Sequence, residues 1–239
     1  MFADIHSHLL YSVDDGPKAL DETLEMLDAA YKDGVRSICV TPHFNFSFFG
    51  DNTEKAKSAY GELCLITKDK YPDMKLYFGC EIFYHNECVE LLNSGVCPTI
   101  AGTKHVLVDF SSDVDLFTVE GAVKKIISYG YIPIIAHAER YRIFQSDTLK
   151  LKRIKGSGAI VSVNAASVVG LNSRKEMSCA KKIINKGLCD TVTSDAHDTK
   201  KRPFCFGACY EYLKKHYSKE TAELLTYIRS QKILDGLRI

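Results

Sequence analysis

The stretch Asp4-Ile5-His6-Ser7-His8 ends a short apolar run with two histidines that are one residue apart. A β-strand places alternate side chains on one face, so the imidazoles of His6 and His8 can point at one ion while Ile5 packs behind them. Five later apolar runs end in the same residue types: Thr41-Pro42-His43, Gly79-Cys80-Glu81, Asp109 after Val106-Leu107-Val108, His137-Ala138-Glu139-Arg140 and Ser194-Asp195-Ala196-His197. Imidazole and carboxylate groups without thiolate are typical of catalytic sites for zinc, manganese or iron. Because isolated buried charges are costly, this repetition predicts one shared metal site.

Strand and helix patterns alternate along the chain. Seven apolar runs are suited to buried parallel strands: Phe2–Ile5, Ser37–Val40, Leu76–Gly79, Val106–Asp109, Ile132–Ala136, Ile160–Val163 and Thr191–Thr193. The segments between and after them show helical spacing: Ala19–Lys32, Asn52–Lys70, Asn86–Asn93, Leu116–Tyr129, Thr148–Lys155, Arg174–Asn185, Phe204–His216 and Lys219–Leu234. Repeated strand-helix units pair in parallel, and about seven units that close on themselves form a barrel. We therefore predict an α/β barrel with its active site in the loops after the strands' carboxyl ends, where every candidate residue falls.

The composition limits the class of protein. The chain has 239 residues, of which 46% are hydrophobic, and this is enough for one core, so we expect a single domain over residues 1–239. Its 31 Lys and Arg residues nearly balance 30 Asp and Glu residues, so no global charge favours nucleic acid or acidic lipid. We expect no signal peptide, because the N-terminus Met1-Phe2-Ala3-Asp4 is too short and too polar. We expect no membrane insertion, because no apolar run reaches about 20 residues. The nine cysteines form no C-x-x-C pair and are expected to be buried thiols of a cytoplasmic protein.

The ordered set of motifs resembles a known superfamily. H-x-H, an acidic residue, T-P-H, G-x-E, an acidic strand end, H-A-E-R and S-D-x-H are similar to the PHP (polymerase and histidinol phosphatase) pattern. Three segments resemble bacterial tyrosine-protein phosphatases encoded with capsule and exopolysaccharide genes: I-H-S-H followed by Val13-Asp14-Asp15-Gly16-Pro17, Cys80-Glu81-Ile82-Phe83-Tyr84, and His137-Ala138-Glu139-Arg140-Tyr141. The resemblance runs over nearly the whole chain, to the helix after Arg202-Pro203. It implies a TIM-like, distorted (β/α)7 barrel of PHP type that hydrolyses phosphotyrosine on a partner tyrosine kinase controlling polysaccharide synthesis.

The resemblance also implies three divalent metal ions, with Mn²⁺ as the first choice and iron or zinc as alternatives. The first ion would be held by His6, His8, Glu81 and Asp195, the second by Glu81 as a bridge with Asp109 and His137, and the third by Asp15, His43 and His197. Asp14 is the neighbouring alternative to Asp15, and Asp14-Asp15-Gly16 can also be read as an ordinary turn. Asp109 departs from the family, because related phosphatases usually carry the longer Glu at that strand end. The shorter carboxylate either draws the backbone inward or binds its metal more weakly.

Other side chains near these motifs are candidates for supporting roles. Arg140 and Arg202 each lie a few residues after a candidate metal ligand, His137 or His197. A guanidinium matches the oxygen spacing of a phosphate, so both are candidates for phosphate binding, but each could instead form a surface salt bridge. Four phenylalanines lie within residues 44–49, which predicts either packing under a helix or a lip that receives a phenolic ring. Asp4 and Glu139 are candidates for orienting the ligating imidazoles.

The chemistry of phosphate ester hydrolysis agrees with these residue types. The reaction needs a nucleophile made from water, neutralised charge on the phosphoryl oxygens and help for the leaving oxygen, and clustered divalent ions can supply all three. The leaving group of phosphotyrosine is a phenoxide whose conjugate acid has a pKa of about 10. Its departure therefore needs less help from a general acid than the departure of an alkoxide from an alkyl ester does. No cysteine lies in a C-x5-R loop, so the chemistry of cysteine-nucleophile phosphatases is not indicated.

Three alternative functions remain open from the sequence. A small-molecule PHP phosphatase, such as a histidinol-phosphate phosphatase, would share the metals but need a closed polar pocket. A PHP exonuclease or polymerase accessory domain is disfavoured by the near-zero net charge and the absence of a basic stripe. A metal-binding scaffold without turnover is disfavoured by the two loop arginines. The oligomeric state and the identity of the kinase cannot be derived from the sequence.

Overall fold

The structure is a computed structural model that describes residues 1–44 and 46–239, without the side chains of Phe46 and Ser47. Its strands are β1 (Phe2–Ser7), β2 (Val35–Val40), β3 (His43–Phe44), β4 (Lys75–Phe78), β5 (Glu81–Phe83), β6 (His105–Asp109), β7 (Ile132–Ile135), β8 (Ile160–Asn164) and β9 (Thr191–Thr193). Its α-helices are α1 (Leu20–Asp33), α2 (Phe46–Phe49), α3 (Thr53–Lys70), α4 (Cys88–Asn93), α5 (Leu116–Ser128), α6 (Arg142–Ser146), α7 (Lys150–Gly156), α8 (Ala165–Val169), α9 (Arg174–Asn185), α10 (Phe206–His216), α11 (Lys219–Glu223) and α12 (Arg229–Leu234). All strand pairs are parallel, which confirms the predicted α/β class.

The strands form two sheets, in the orders β1-β2-β4 and β3-β5-β6-β7-β8-β9. All seven predicted strands are present, and the described residues contain two further short strands, β3 and β5. Val40 lies opposite Phe78 in one sheet, and His43 lies opposite Glu81 in the other, so the register is the same on both sides of the break. Pro42 interrupts one strand because it has no N–H to donate to the ladder. The two extra strands therefore continue β2 and β4, and they carry His43 and Glu81.

The first and last strands meet, so the sheets curl. Ser7 forms a parallel bridge with Ala196, and the His8 N–H donates to the carbonyl oxygen of Ala196 at 2.9 Å. The Asp195 N–H donates to the carbonyl oxygen of His6 at the same distance. This contact places the H-x-H motif directly beside the S-D-x-H motif, although nearly 190 residues of sequence separate them.

The interior enclosed by the curled sheets is apolar, and the polar residues lie above it, at the ends of the strands. One buried cluster combines residues from β1, β2, β6, β7, β8 and α12, among them Ala3, Ile5, Cys39, Leu107, Ile134, Ile160 and Ile233. Successive side chains of a strand alternate in direction, so His105, Leu107 and Asp109 of β6 lie on the same face. The larger apolar cluster packs the helices against the outside of the sheets. A closely packed apolar layer therefore lies directly beneath the polar residues at the strand ends.

Local signals explain several helix ends. Helix α1 ends at Gly34, whose φ of 95° is a conformation that favours glycine. Ser218 caps α11 by accepting the Thr221 N–H. The predicted helix over Lys219–Leu234 is interrupted by a π-helix at Leu224–Ile228. The sequence patterns do not predict the short helices α2, α6 and α8.

Two expectations from composition can be compared with the fold. All nine cysteines are free, and all but Cys64 are buried, which confirms the expected buried thiols. Among residues 1–44 and 46–239, no helix combines the length and the apolar character that crossing a bilayer requires.

Candidate metal centre

The structure brings together all nine residues that were predicted as metal ligands. Their donor atoms form three overlapping groups in which all atoms lie within 4.8 Å of one another: His6, His8 and Glu81; Glu81, Asp109 and His137; and His8, Asp15, His43 and His197. The ninth residue, Asp195, adjoins these groups, with its Oδ1 atom 3.4 Å from His6 Nε2. The grouping differs from the predicted one because His8 lies close to two groups. Proximity is established by these distances, and the role of each residue as a ligand stays a prediction.

Glu81 is fully buried at the centre of the cluster. Its Oε1 atom lies 3.0 Å from His137 Nε2 and 3.2 Å from His6 Nε2. Its Oε2 atom lies 2.9 Å from His43 Nδ1 and 3.4 Å from His8 Nε2. Burial alone would raise the pKa of Glu81, but the imidazoles of His6 and His43 outweigh it and hold the pKa well below its usual range. An ionised carboxylate with different imidazoles on its two oxygens suits the predicted bridge between two ions.

The H-x-H motif has the geometry that strand alternation predicts. The Nε2 atoms of His6 and His8 lie 3.2 Å apart, so both rings point at the same place. Ile5 is buried in the apolar cluster behind them. The two histidines can therefore serve one ion, as the sequence analysis expected.

Asp14 and Asp15 have different surroundings. Asp14 is buried, and its Oδ2 atom lies 2.8 Å from His8 Nδ1 and accepts the His43 N–H at 2.9 Å. Burial raises the pKa of Asp14, but His8 and the hydrogen bonds outweigh burial and lower it to about 2. Asp15 is exposed, and its Oδ1 atom lies 3.2 Å from His197 Nε2 and 3.4 Å from His43 Nε2. Asp15 therefore faces the candidate ligands, whereas Asp14 orients the imidazole of His8 from behind.

Glycine is required in the turn that presents these two aspartates. A side chain at Gly16 would place its Cβ atom 2.6 Å from the His8 carbonyl oxygen, which is backbone and cannot move cheaply. The Gly16 N–H also donates to Asp14 Oδ1 at 2.9 Å. The D-G sequence is therefore both a turn and part of the site, so the two interpretations of the motif do not exclude each other.

Asp109 is held at a greater distance than the other carboxylates. Its Oδ1 atom lies 3.7 Å from His137 Nε2, and it accepts hydrogen bonds from the Tyr141 hydroxyl at 2.9 Å and the Phe110 N–H at 2.7 Å. Burial raises the pKa of Asp109. Asp109 is therefore hydrogen-bonded to Tyr141 and Phe110 beside the cluster, and whether it is a weak ligand or draws the backbone inward stays a prediction.

Asp195 divides its two oxygens between different partners. Oδ2 lies 2.7 Å from Arg140 Nη1 and 2.8 Å from Arg202 Nη2, and it accepts from the Asn164 side chain at 2.9 Å. Oδ1 faces the imidazoles and has no partner with hydrogen-bond geometry within the described residues. Burial raises the pKa of Asp195, but Arg140 and the other cations outweigh it and hold the pKa well below its usual range. Both predicted arginines therefore form salt bridges at the site, and their role toward phosphate stays a prediction.

Two candidate ligands lie in unusual backbone conformations. His137 has a φ of 29° and Asp195 a φ of 52°, in the left-handed region that residues with a Cβ atom rarely adopt. Such conformations cost about 1–3 kcal/mol each and persist where the surrounding structure holds them. In both cases the strained residue is the second one after the end of a strand, and its side chain lies in the cluster. The backbone is therefore adapted to the placement of these donors.

The donor set fits divalent metal ions. Glu81 Oε2, Asp195 Oδ1 and His197 Nε2 are buried and, although imidazoles or carboxylates lie close to them, none has a partner with hydrogen-bond geometry in the part of the chain that the structure describes. Buried polar atoms of this kind are costly unless something satisfies them. Because they converge with further imidazoles and with Asp15, a cation is the group that would satisfy them all.

The prediction that Asp4 and Glu139 orient imidazoles is wrong. Asp4 accepts from the Ser194 N–H at 3.1 Å and from the Ser194 hydroxyl, so it fixes the contact between β1 and the segment after β9. Glu139 accepts from the Asn164 N–H and the Ser167 hydroxyl, at 3.1 and 2.7 Å. Both carboxylates bind backbone and hydroxyl groups because the imidazoles point away from them, toward Glu81.

The phenylalanine-rich segment at residues 44–49 shows features of both predicted roles. Phe44 is buried in the core, whereas Phe48 is 79% exposed. The ring of Phe49 stacks on the His43 imidazole, with centroids 5.4 Å apart. Asn45 and the side chains of Phe46 and Ser47 lie outside the described residues. Phe44 thus packs inside, Phe49 contacts a candidate ligand, and Phe48 projects into solvent.

Three polar residues of the site are absent from the sequence prediction. Asn164 donates to Asp195, Tyr141 donates to Asp109, and Ser112 lines the cleft beside the cluster. The cleft has a volume of about 210 Å³ and is also lined by both arginines. Tyr141 falls in the quoted H-A-E-R-Y segment, which is a usable signal. Asn164 ends a strand as the ligands do, but its amide does not belong to the imidazole and carboxylate pattern.

Comparisons with known proteins agree with this geometry. The model of the family described as "Capsular polysaccharide synthesis, CpsB/CapC" matches residues 2–235. The tyrosine-protein phosphatase CpsB of Streptococcus pneumoniae is 28% identical over 236 residues, which cover 97% of both chains.

Solved structures show the same relationship. A crystal structure from the pair YwqE of Bacillus subtilis and CpsB of Streptococcus pneumoniae, described as unique metal-dependent tyrosine phosphatases, superimposes with a TM-score of 0.92. It is 26% identical, and the match covers 99% of this chain and 96% of that one. Histidinol phosphate phosphatase of Lactococcus lactis, solved with zinc, L-histidinol and phosphate, gives a TM-score of 0.56 at 13% identity, with 96% and 98% of the two chains covered. The latter likeness shows a common fold only.

Proposed function

The chain belongs to the CpsB/CapC family of capsular polysaccharide synthesis, and from that premise we propose that its polar cluster is the active site of a metal-dependent protein-tyrosine phosphatase. The observation that carries the proposal is the convergence of four imidazoles on the two oxygens of buried Glu81, beside a cleft that contains Arg140 and Arg202. A cluster of cation ligands next to guanidinium groups is suited to a phosphate ester.

The cluster would hold three divalent first-row ions, to which imidazole and carboxylate donors are suited, with Mn²⁺ as the first choice and iron or zinc as alternatives. The sets would be His6, His8, Glu81 and Asp195; Glu81, Asp109 and His137; and Asp15, His43 and His197. Such ions, when bound, lower the pKa of water and offset charge on phosphoryl oxygens.

The two arginines would hold the phosphoryl group. Their guanidinium groups meet at Asp195 Oδ2, and both line the cleft while remaining 27% and 31% exposed. Asp195 thereby fixes the direction of both side chains, while their remaining N–H groups stay available to the oxygens of a substrate. Two such cations would offset part of the cost of taking a dianionic phosphate out of water. The arrangement orients the substrate before any bond is broken.

The finer features of the proposal concern substrate, location and architecture. The substrate would be a phosphotyrosine-bearing kinase that controls capsule or exopolysaccharide synthesis. We also propose a cytoplasmic location, to which nine free and mostly buried thiols are suited. We also propose that residues 1–239 form one domain with a distorted (β/α)7 barrel, in which β2 with β3, and β4 with β5, each count as one strand. The contact of Ser7 with Ala196 supports closure of that barrel.

The test is a comparison of substrates on metal-loaded protein. We expect a phosphotyrosine peptide to be hydrolysed with a higher kcat/KM than histidinol phosphate. Exhaustive chelation, with metal content measured, should abolish p-nitrophenyl phosphate hydrolysis, and Mn²⁺ should restore it best. Preferential turnover of histidinol phosphate would favour the small-molecule alternative. Full activity in protein free of metal would overturn the proposed mechanism.

A further inference from the structure

The site cleft is small compared with sites that enclose a whole ligand. Its volume of about 210 Å³ lies below the roughly 300–1,000 Å³ that is typical of pockets for complete small molecules. Arg140, Arg202 and the candidate ligands take up its walls. The cleft can therefore receive the phosphorylated end of a side chain, while the rest of a protein substrate has to lie outside, on the surrounding surface.

Two aromatic side chains are largely exposed in the segments that follow β3 and β6. Phe117 is 85% exposed and Phe48 is 79% exposed, the two highest values among the large apolar side chains that the structure describes. Phe48 follows β3 and adjoins Phe49, whose ring stacks on His43. Phe117 lies in the first turn of α5, five residues after Ser112, which lines the cleft. Both residues therefore lie in helices that come soon after the carboxyl end of a strand that carries a candidate ligand, His43 of β3 and Asp109 of β6, and such segments surround the site end of a parallel sheet.

Neither ring is buried by the part of the chain that the structure describes. A fully exposed phenylalanine leaves apolar area in water that would contribute on the order of 1.5–3 kcal/mol if it were buried. We propose that Phe48 and Phe117 form a docking rim for the residues that flank phosphotyrosine in a polypeptide substrate. The inference rests on the proposed phosphatase function and adds where the substrate chain is bound.

The test uses three substrates that differ only in what extends beyond the phosphorylated ring. These are p-nitrophenyl phosphate, the single-residue N-acetyl-phosphotyrosine amide, and a phosphotyrosine peptide with residues on both sides. For Phe48→Ala and Phe117→Ala, we expect kcat/KM on the peptide to fall about tenfold through a higher KM, as loss of most of one buried ring would give. Turnover of the two small substrates should stay close to that of the unsubstituted protein.

The fold offers matched controls. Tyr129 lies at the other end of α5 and is 47% exposed, and Leu65 on α3 is 71% exposed. Tyr129→Ala and Leu65→Ala should leave peptide kinetics unchanged. Unchanged peptide kinetics in both phenylalanine variants would overturn the rim, and so would equal losses on the single-residue amide and the peptide. Failure of the unsubstituted, metal-loaded protein to hydrolyse any of the three substrates would instead overturn the phosphatase function itself.

Discussion

His137 follows β7 at the carboxyl end of the sheet, whereas His105 begins β6 at the amino end, and both imidazoles are buried. His137 lies 3.0 Å from Glu81, and although burial and Arg140 lower its pKa, Asp109 and Glu81 outweigh them and raise it. His105 contacts the Thr103 hydroxyl at 3.1 Å, and burial alone lowers its pKa.

The two ends of the sheet differ in whether carboxylates lie beside their buried histidines. A buried histidine without one remains a neutral structural residue, because nothing offsets the cost of its charge. Histidines that share a carboxylate form a site that can hold charge. The residue type is the same at both ends, so the chemistry of the carboxyl end comes from grouping rather than from histidine as such.

The largest loss of activity is expected at Glu81, where four imidazoles surround one carboxylate. Glu81→Ala should reduce phosphatase activity on the order of a thousandfold or more and remove more bound metal than His43→Ala, because Glu81 contacts four imidazoles and His43 lies at the edge. Elemental analysis of both variants after metal loading measures the difference. Equal metal loss would mean that Glu81 does not bridge two ions.

An intermediate effect is expected at Arg140, which touches Asp195 but has no donor atom for a cation. Arg140→Ala should keep its bound metal and lose about 2–4 kcal/mol of transition-state stabilisation, which kcat/KM on p-nitrophenyl phosphate reports. Arg140→Lys should restore only part of this loss. Lysine keeps the positive charge, but its ammonium group is a point charge and lacks the planar, forked set of donors of a guanidinium. Near-normal turnover in Arg140→Ala, or loss of metal from it, would contradict the role in phosphate binding.

The smallest effect is expected at the amino end. His105→Leu fills a similar volume and removes the Nε2 atom that has no hydrogen-bond partner among the described residues, so activity and metal content should be unchanged. The free energy of unfolding should change by no more than about 1.5 kcal/mol, because loss of the Thr103 contact opposes relief of the buried nitrogen. Denaturant unfolding with metal analysis checks both. A marked fall in bound metal would show that the two ends are not separate.

Residue types at strand ends account for what the sequence could predict of the site. His6, Glu81 and Asp195 follow apolar runs, and parallel strands bring such positions to one edge, so their meeting required no knowledge of loop structure. The choice between Asp14 and Asp15 could not be made in this way, because it depends on which carboxylate is buried by the turn.

The remaining errors arise from tertiary contacts. The contact of Asp4 with Ser194 depends on the meeting of β1 with the segment after β9, which local pattern does not encode. The breaks after β2 and β4 produced two strands that periodicity could not separate, since β3 has only two residues. Asn164 was missed because an amide near a strand end is ordinarily a capping or turn residue.

The bridge between Ser7 and Ala196 has a consequence for the order in which the site is assembled. A nascent chain carries His6 and His8 from the start, but it cannot place them against Asp195 and His197 until some 190 residues later, when the final strand has left the ribosome. Contacts of such long sequence separation close late, because the loop they span must first be ordered. Glu81, Asp109 and His137 come from strands that pair in sequence order, so this group can form first. We therefore expect metal binding during biosynthesis to begin at Glu81, Asp109 and His137 and to be completed when Ser7 meets Ala196.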